Sequence, residues 1–264
     1  MRKKLLICLA ALVVLAVWVL WANTALEVND YVIESEKIPE SFDGFRIAQV
    51  SDLHNAEFWT DVVDALGEEK PDLIVLTGDL IDSGSTDVEA ALAFAEQAAK
   101  IAPTYFVSGN HEAWSPGHWE VLREGLKQTG VILLENETVR LERNGEFLTL
   151  VGLSDPAFGS HPERLTAGEG YRILLSHRPE RMKLYAEAGV DLVFSGHAHG
   201  GQFRIPFVGG LIAPDQGLFP EYDAGLFEED GTAMLVSRGV GNSIIPLRIN
   251  NRPEVIVAEL KVSV

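Results

Sequence analysis

The chain has one cysteine, Cys8, which excludes an intrachain disulfide and the small disulfide-stapled folds that depend on one. Only Leu5, Leu6 and Ile7 separate Cys8 from Lys4, too short an apolar run for a lipoprotein signal, so it reads as one more apolar side chain. Basic residues are also scarce. Against 39 Asp and Glu there are 21 Lys and Arg, for a net charge of −18. Three of those cations are Arg2, Lys3 and Lys4, and the chain beyond them carries −21. Such a surface argues against a nucleic-acid backbone as the main partner, because phosphate contacts need clustered positive charge. Solubility alone would account for the acidic excess. No internal repeat or low-complexity tract is present, and with 47% hydrophobic residues no long stretch is expected to be disordered.

Long apolar runs are limited to one, Leu5–Ala22, which is uncharged and close to the ~20 residues that span a bilayer core. Trp18 and Trp21 lie at its far end, where interfacial aromatics collect. Basic residues before it, and Glu27, Asp30, Glu34 and Glu36 after it, predict a single-pass anchor with its C-terminal side outside the cytoplasm. A cleaved signal is the alternative, although Ala22-Asn23-Thr24-Ala25 lacks the A-x-A-like spacing. Either way the division falls into residues 1–22, a membrane anchor or signal, and residues 23–264, one sizeable domain.

Within that domain short apolar runs alternate with helical patterns. Strands are expected at Val28–Glu34 (an edge), Phe45–Val50, Asp72–Thr77 and Thr104–Val107, and helices at Thr60–Glu69, Asp87–Lys100 and Pro116–Gln128. Val131–Leu134, Thr138–Glu142 and Phe147–Leu153 read as strands, the last two joined by the hairpin signal Asn144-Gly145. Arg172–Leu175, Asp191–Phe194, Thr232–Ser237 and Glu254–Leu260 read as strands and Pro179–Ala188 as a helix. The fold class is α/β (α+β). The strand count favours a two-sheet sandwich flanked by helices over one open sheet.

Five motifs punctuate this pattern: Asp52-Leu53-His54, Gly78-Asp79, Gly109-Asn110-His111-Glu112, Ser176-His177 and Gly196-His197-Ala198-His199. Five of the seven histidines fall inside them. Taken singly each has a plain structural reading: Asp79 as a helix cap, Asn110 in a polar turn, a histidine after a strand as a hydrogen-bonded residue. In extended backbone Asp52 and His54 would share a face and could hold one metal together. Each motif ends a strand, so all can meet at the carboxyl edge of the sheets, where α/β folds build their sites. Carboxylates, an amide oxygen and imidazoles suit a divalent metal, and Mn, Fe, Zn, Co and Mg are all compatible.

The order of these motifs resembles the calcineurin-like metallophosphoesterase family, over roughly Phe45 to Asn242. The anchor, Ser51-Asp52-Leu53-His54-Asn55, Gly196-His197-Ala198-His199-Gly200-Gly201-Gln202 and Gly217-Leu218-Phe219-Pro220 followed by Tyr222 are similar to its bacterial membrane-associated branch. The resemblance implies a β-sandwich flanked by helices and a two-metal centre. Asp52, His54 and His199 would hold one metal, Asn110, His177 and His197 the other, and Asp79 would bridge them. His111 would be catalytic, lying beside the phosphoryl group and donating a hydrogen bond or proton toward the leaving group or a phosphoryl oxygen. A hydroxide shared by the metals would attack phosphorus in line. With two carboxylates the site would be left near +1, able to attract phosphate within an acidic protein.

The activity implied is hydrolysis of a phosphodiester or pyrophosphate, on a cell-envelope or lipid-linked substrate. The alternatives are a phosphomonoesterase of the same fold, a non-catalytic metal-binding protein, and an enzyme of inverted topology facing the cytoplasm. Oligomeric state has no signature in the sequence. Phe203, Phe207, Phe219 and Tyr222 could line an apolar groove or pack in the core. Arg178, Arg204 and Arg238 are phosphate contacts or solvated charges. His118 and His161 read as surface residues, and Glu112 as a structural support.

Overall fold

The computed structural model describes residues 2–159, 165–166, 168–242 and 246–263; His161 lies outside them. With no glycine or proline to interrupt it, the apolar run forms helix α1 (Arg2–Thr24). The helix continues past Ala22 because Asn23 Nδ2 donates to Val19 O (2.7 Å) and Thr24 Oγ1 to Leu20 O (3.0 Å), which satisfies the carbonyls of its last turn. Its apolar side chains project away from the rest of the chain, and it is long and apolar enough to cross a membrane.

The remaining elements are β1 (Glu27–Ser35), β2 (Arg46–Val50), α2 (Trp59–Glu69), β3 (Leu73–Thr77), α3 (Val88–Ile101), β4 (Thr104–Val107), α4 (Asn110–Trp114), α5 (Pro116–Thr129), β5 (Ile132–Leu133), β6 (Thr138–Arg143), β7 (Glu146–Leu153), β8 (Arg172–Ser176), α6 (Met182–Glu187) and β9 (Leu192–Ser195). Four two-residue strands follow, β10 (Arg204–Ile205), β11 (Gly209–Gly210), β12 (Ile212–Ala213) and β13 (Gly217–Leu218), then β14 (Gly225–Glu229), β15 (Thr232–Val236) and β16 (Glu254–Val262).

Two six-stranded sheets result, ordered β1-β16-β2-β3-β4-β5 and β14-β15-β9-β8-β7-β6. In the first, β2 through β5 run parallel; in the second, β15, β9, β8 and β7 do. The strands read as continuous apolar runs because both faces of each sheet are covered. Along β3, Leu73 and Val75 enter the layer between the sheets while Ile74 and Leu76 face a second cluster that includes Val62, Leu66, Phe94 and Leu122 of the helices. Along β9, Leu192 and Phe194 enter the middle layer while Val193 packs with Met182 and Tyr185 of α6. The period of two thus divides one apolar run between two cores, and the two-sheet sandwich flanked by helices is the architecture observed.

Local signals explain most boundaries. Asp87 caps α3 by accepting from Ala90 N (2.9 Å), and Pro116 opens α5. Asn144 and Gly145 both take positive φ, 52° and 87°, as a tight primed turn between β6 and β7 requires. One helix assignment needs correction. Pro179–Ala188 is not one helix: Pro179–Arg181 forms a 3-10 turn and α6 begins only at Met182. Strand β14 has no apolar run to mark it in the sequence because it is a half-exposed edge carrying glutamates; it pairs with β15 through Asp230-Gly231, a hairpin signal of the same kind as Asn144-Gly145.

Candidate metal centre

Strands β2, β3 and β4 of one sheet and β8 and β9 of the other each release a loop at their carboxyl ends, and these loops carry all five motifs. The expectation of an extended Asp52-x-His54 pair is not met. Asp52 (φ 52°) and His54 (φ 43°) both lie in the left-handed region, as do Asp79 (54°), His197 (65°) and His199 (47°). Left-handed backbone costs roughly 1–2 kcal/mol per residue. Hydrogen bonds between loops hold it there: Asp52 N donates to Gly78 O (3.0 Å), His54 N to Asp79 O (3.1 Å) and Gly241 N to Asp52 O (2.7 Å).

The side chains converge. His54 Nε2 lies 3.2 Å from His199 Nε2, and His199 Nε2 lies 3.3 Å from Asp52 Oδ1. Asp79 Oδ2 stands between this group and the next, 3.6 Å from His54 Nε2 and 3.1 Å from His177 Nε2. His197 joins Asp79 and His177 in a second cluster, with its ring centre 4.9 Å from that of His177. All of these residues are buried. Two imidazole nitrogens facing each other at hydrogen-bond distance beside buried carboxylates form a donor set suited to a divalent cation.

Two orphaned atoms support the same fit. Among the described residues, neither Asn110 Oδ1 nor His177 Nε2 has a hydrogen-bond partner, and both are buried. An unsatisfied buried polar atom costs about 1–3 kcal/mol, and metal ligation would remove that cost. Charge points the same way. Burial opposes ionisation of Asp52 and Asp79, yet the neighbouring histidines hold both carboxyls well below their ordinary range. Burial opposes the charge on His54 and His177, but Asp52, Asp82 and Asp79 raise the first to about 9, and Asp79 and Asp52 raise the second to about 10. Burial lowers His199 to about 3 and His197 to about 4. The carboxylate pair therefore attracts positive charge, while two imidazoles stay neutral, the form that ligates.

His111 sits at the edge of the group, its ring 4.5 Å from His54 and 5.0 Å from Trp114. Ser83 N donates to His111 Nδ1 (3.0 Å), so Nδ1 is an acceptor and a neutral ring carries its proton on Nε2. Burial lowers its pKa against the opposing pull of Asp79. Glu112 acts as a brace: it accepts from Asp79 N (2.9 Å), Gly109 N (2.7 Å) and Ile81 N (3.3 Å), tying the loop after β3 to the loop after β4. Burial and then Asp79 push its carboxyl up to about 7.

Several contributors have no motif to announce them. Asp82 lies 3.3 Å from His54 Nδ1, a charge contact rather than an aligned hydrogen bond. Arg178 is a half-read case. It is a paired group and not a solvated charge: it donates to Asp155 Oδ2 (2.5 Å), contacts Asp215, and reaches His197 Nε2 (2.8 Å). Arg204 and Arg238 are likewise paired, with Asp223 (3.0 Å) and with Glu27 (2.8 Å). Asp215, from the turn between β12 and β13, also comes within 2.9 Å of His197 Nε2. Arg248 is wholly buried, donates to Arg238 O (2.8 Å) and Asn242 Oδ1 (3.1 Å), and comes within 3.5 Å of His199 Nδ1. Nothing in the sequence distinguishes it from other arginines. His118 is exposed, as expected, whereas the core reading of Phe207 and Phe219 fails because both are exposed.

The calcineurin-like phosphoesterase family model matches residues 45–201, the segment that supplies all five motifs. The chain belongs to that family. Its catalytic class is hydrolysis of phosphate esters, and the His and Asp clusters are consistent with a divalent metal centre. The chain is 34% identical over 227 residues to the phosphodiesterase YaeI of Escherichia coli (strain K12), covering 82% of each chain. It is 32% identical to the uncharacterized metallophosphoesterase YkuE of Bacillus subtilis (strain 168), over 89% of this chain and 86% of that one. A Danio rerio transmembrane protein with a metallophosphoesterase domain is 31% identical over 89% of this chain and 57% of its own length.

The closeness of the loops explains one glycine. A Cβ on Gly196 would fall far inside the van der Waals radii of Ser51 Oγ and Asp52 Oδ2. Gly196→Ala should therefore push the Asp52 loop aside and cost roughly 1–3 kcal/mol, read as a lowered urea midpoint at unchanged m-value.

Proposed function

We propose that this family member is a membrane-anchored two-metal phosphodiesterase whose catalytic domain, residues 23–264, faces away from the cytoplasm on the anchor of residues 1–22. The observation that carries the reading is Asp79 Oδ2, a single carboxylate oxygen reached by His54 Nε2 at 3.6 Å and His177 Nε2 at 3.1 Å. In this reading Asp52, His54 and His199 hold one ion, Asn110, His177 and His197 the other, and Asp79 is common to both. With Asp215 accepting the proton of His197 Nε2, the Nδ1 lone pair is the one left for a cation. Two divalent ions there would activate a water and neutralise phosphoryl charge.

The chain's own residues supply the rest. Asp79 Oδ1 accepts from His111 N (2.8 Å), fixing the histidine relative to the shared carboxylate. With Nδ1 held by Ser83, His111 presents an Nε2 proton as hydrogen-bond donor or general acid toward the phosphoryl group or its leaving oxygen. Glu112 keeps the two loops in register. Support for a diester comes from likeness to YaeI, a phosphodiesterase by name, and support for the anchor from α1 and the transmembrane relative. A lipid-linked or envelope phosphodiester or pyrophosphate fits an enzyme tethered at the membrane.

The test uses the full chain in detergent, stripped of metal and reconstituted with Mn²⁺. Bis(p-nitrophenyl) phosphate should turn over in a metal-dependent way and faster than p-nitrophenyl phosphate. Exclusive turnover of the monoester would instead identify a phosphomonoesterase. Two bound metals with neither ester cleaved would point to a non-catalytic metal-binding protein.

A further inference from the structure

Between the metal cluster and β14 the chain makes two short hairpins, β10–β11 and β12–β13, whose surface differs from the rest of the domain. Ile205, Phe207, Val208, Leu218 and Phe219 stand exposed there, Phe207 fully so. Phe207 and Phe219 hold φ at 67° and 54°, a conformation that bulky residues rarely adopt. Strained backbone that turns phenylalanine rings into solvent points to a use for those rings. Charge separates the segment as well. In a chain that carries −21 beyond its first four residues, positions 203–219 hold only Arg204 and Asp215, and both are ion-paired.

The hairpins are rooted beside the end of α1. Phe203 bridges to Ile249, and Arg204 N donates to Ile249 O (2.9 Å). On the other side of the same segment, Asn23 of α1 grips both backbone groups of Arg248, accepting from its N (2.7 Å) and donating to its O (3.1 Å). Arg252 lies over the Trp21 ring (4.8 Å) and donates to Ala25 O and Leu26 O. Asn250 lines both the cavity beneath Ile205, Phe207 and Val208 and the one beside Trp18 and Trp21. At their inner end the hairpins begin where the His199 turn stops, and the Asp215 turn reaches back to His197.

We propose that these hairpins are a lipid-binding foot, inserted in the leaflet from which α1 emerges, so that the metal cluster faces phosphate groups carried at that surface. The proposal rests on the reading of α1 as a membrane anchor. A bilayer is the occupant that fits, because the patch is continuous with the anchor, apolar at the Phe207 turn and at Leu218 and Phe219, and free of net charge. An anionic leaflet would repel the rest of this acidic domain. Immersing one phenylalanine side chain strengthens membrane attachment by roughly tenfold or more, so Phe207 and Phe219 suffice to fix the domain's orientation once α1 has tethered it.

The test is depth measurement on the full chain in vesicles of phosphatidylethanolamine and phosphatidylglycerol. Cys8→Ser removes the native thiol, and nitroxide labels are placed in turn at Phe207→Cys, Leu218→Cys, Val121→Cys on exposed α5, and Leu12→Cys within α1. Labels at 207, 218 and 12 should relax preferentially with dissolved oxygen, and the label at 121 with a water-soluble nickel chelate. Leu12 in lipid with 207 and 218 fully in water would overturn the foot while leaving the anchor standing. Labels at 207 and 218 that are immobilised yet reached by nickel would show a protein covering the hairpins, and would also overturn it. Leu12 in water would overturn the anchor and the foot together.

Discussion

Asp79→Asn is expected to lower metal-dependent hydrolysis of bis(p-nitrophenyl) phosphate by on the order of 10³-fold or more. Charge stabilisation by bound metals is worth several kcal/mol, and each 1.36 kcal/mol is about tenfold in rate. The substitution keeps the shape of the side chain, and its amide oxygen can still accept from His111 N, as Asp79 Oδ1 does at 2.8 Å. What it removes is the negative charge on the carboxylate oxygen that lies nearer than Asp52 Oδ1 to both His54 and His177. Both metals should therefore be lost, which elemental analysis of the purified variant would read directly. Loss of only one metal, or a rate within tenfold of wild type, would mean that Asp79 is not the shared ligand.

His111→Ala should behave differently, with kcat reduced by roughly 10²–10⁴-fold and both metals retained. The ring contacts Trp114 and His54 and is held through Nδ1 by Ser83, so its removal leaves the ligands in place but eliminates the Nε2 proton. If that proton assists the departing oxygen, the deficit should be larger for an alkyl leaving group than for p-nitrophenolate, which departs without help. An equal deficit for both would assign His111 to binding the phosphoryl oxygens instead. A loss of metal would mean that the ring supports the ligand cage.

Asp79 and His111 are both visible in the sequence, and the reason is physical. Strand ends at the carboxyl edge of parallel sheets meet whatever the details of packing, so apolar runs followed by Asp79, Asn110 or His177 announce a site before any coordinates exist. Period-two burial on both faces made β3 and β9 legible for the same reason. The pairing of Asp52 with His54 was legible, but its geometry was not. A pleated strand would bring the pair together with an extended backbone, whereas the contact depends on left-handed turns fixed by partners such as Gly78, Asp79 and Gly241, far off in the sequence.

Residues that act through others left the weakest trace. Arg248 has no neighbour in sequence to mark it, and its burial against His199 depends on Arg238 O and Asn242 accepting from it and on Asn251 donating to His199 O. Arg178 stands next to His177, yet its engagement by Asp155 and Asp215 joins three loops that no local pattern relates. The exposed phenylalanines were ambiguous because hydropathy records a preference for burial without saying whether protein or lipid provides it.

The clamp of Asn23 on Arg248 and of Arg252 on Trp21 makes the junction between α1 and the domain stiff. The uncharged run of α1 is about 27 Å long at helical rise, slightly shorter than a bilayer core of roughly 30 Å. In the anchored reading such a helix would have no excess length to tilt away, and a thicker or thinner bilayer would shift the whole domain with it. If α1 anchors the chain as proposed, the height of the metal cluster above the lipid headgroups would follow membrane thickness. The length of the headgroup whose phosphate can reach Asp79 would then become a selection rule that is set outside the active site.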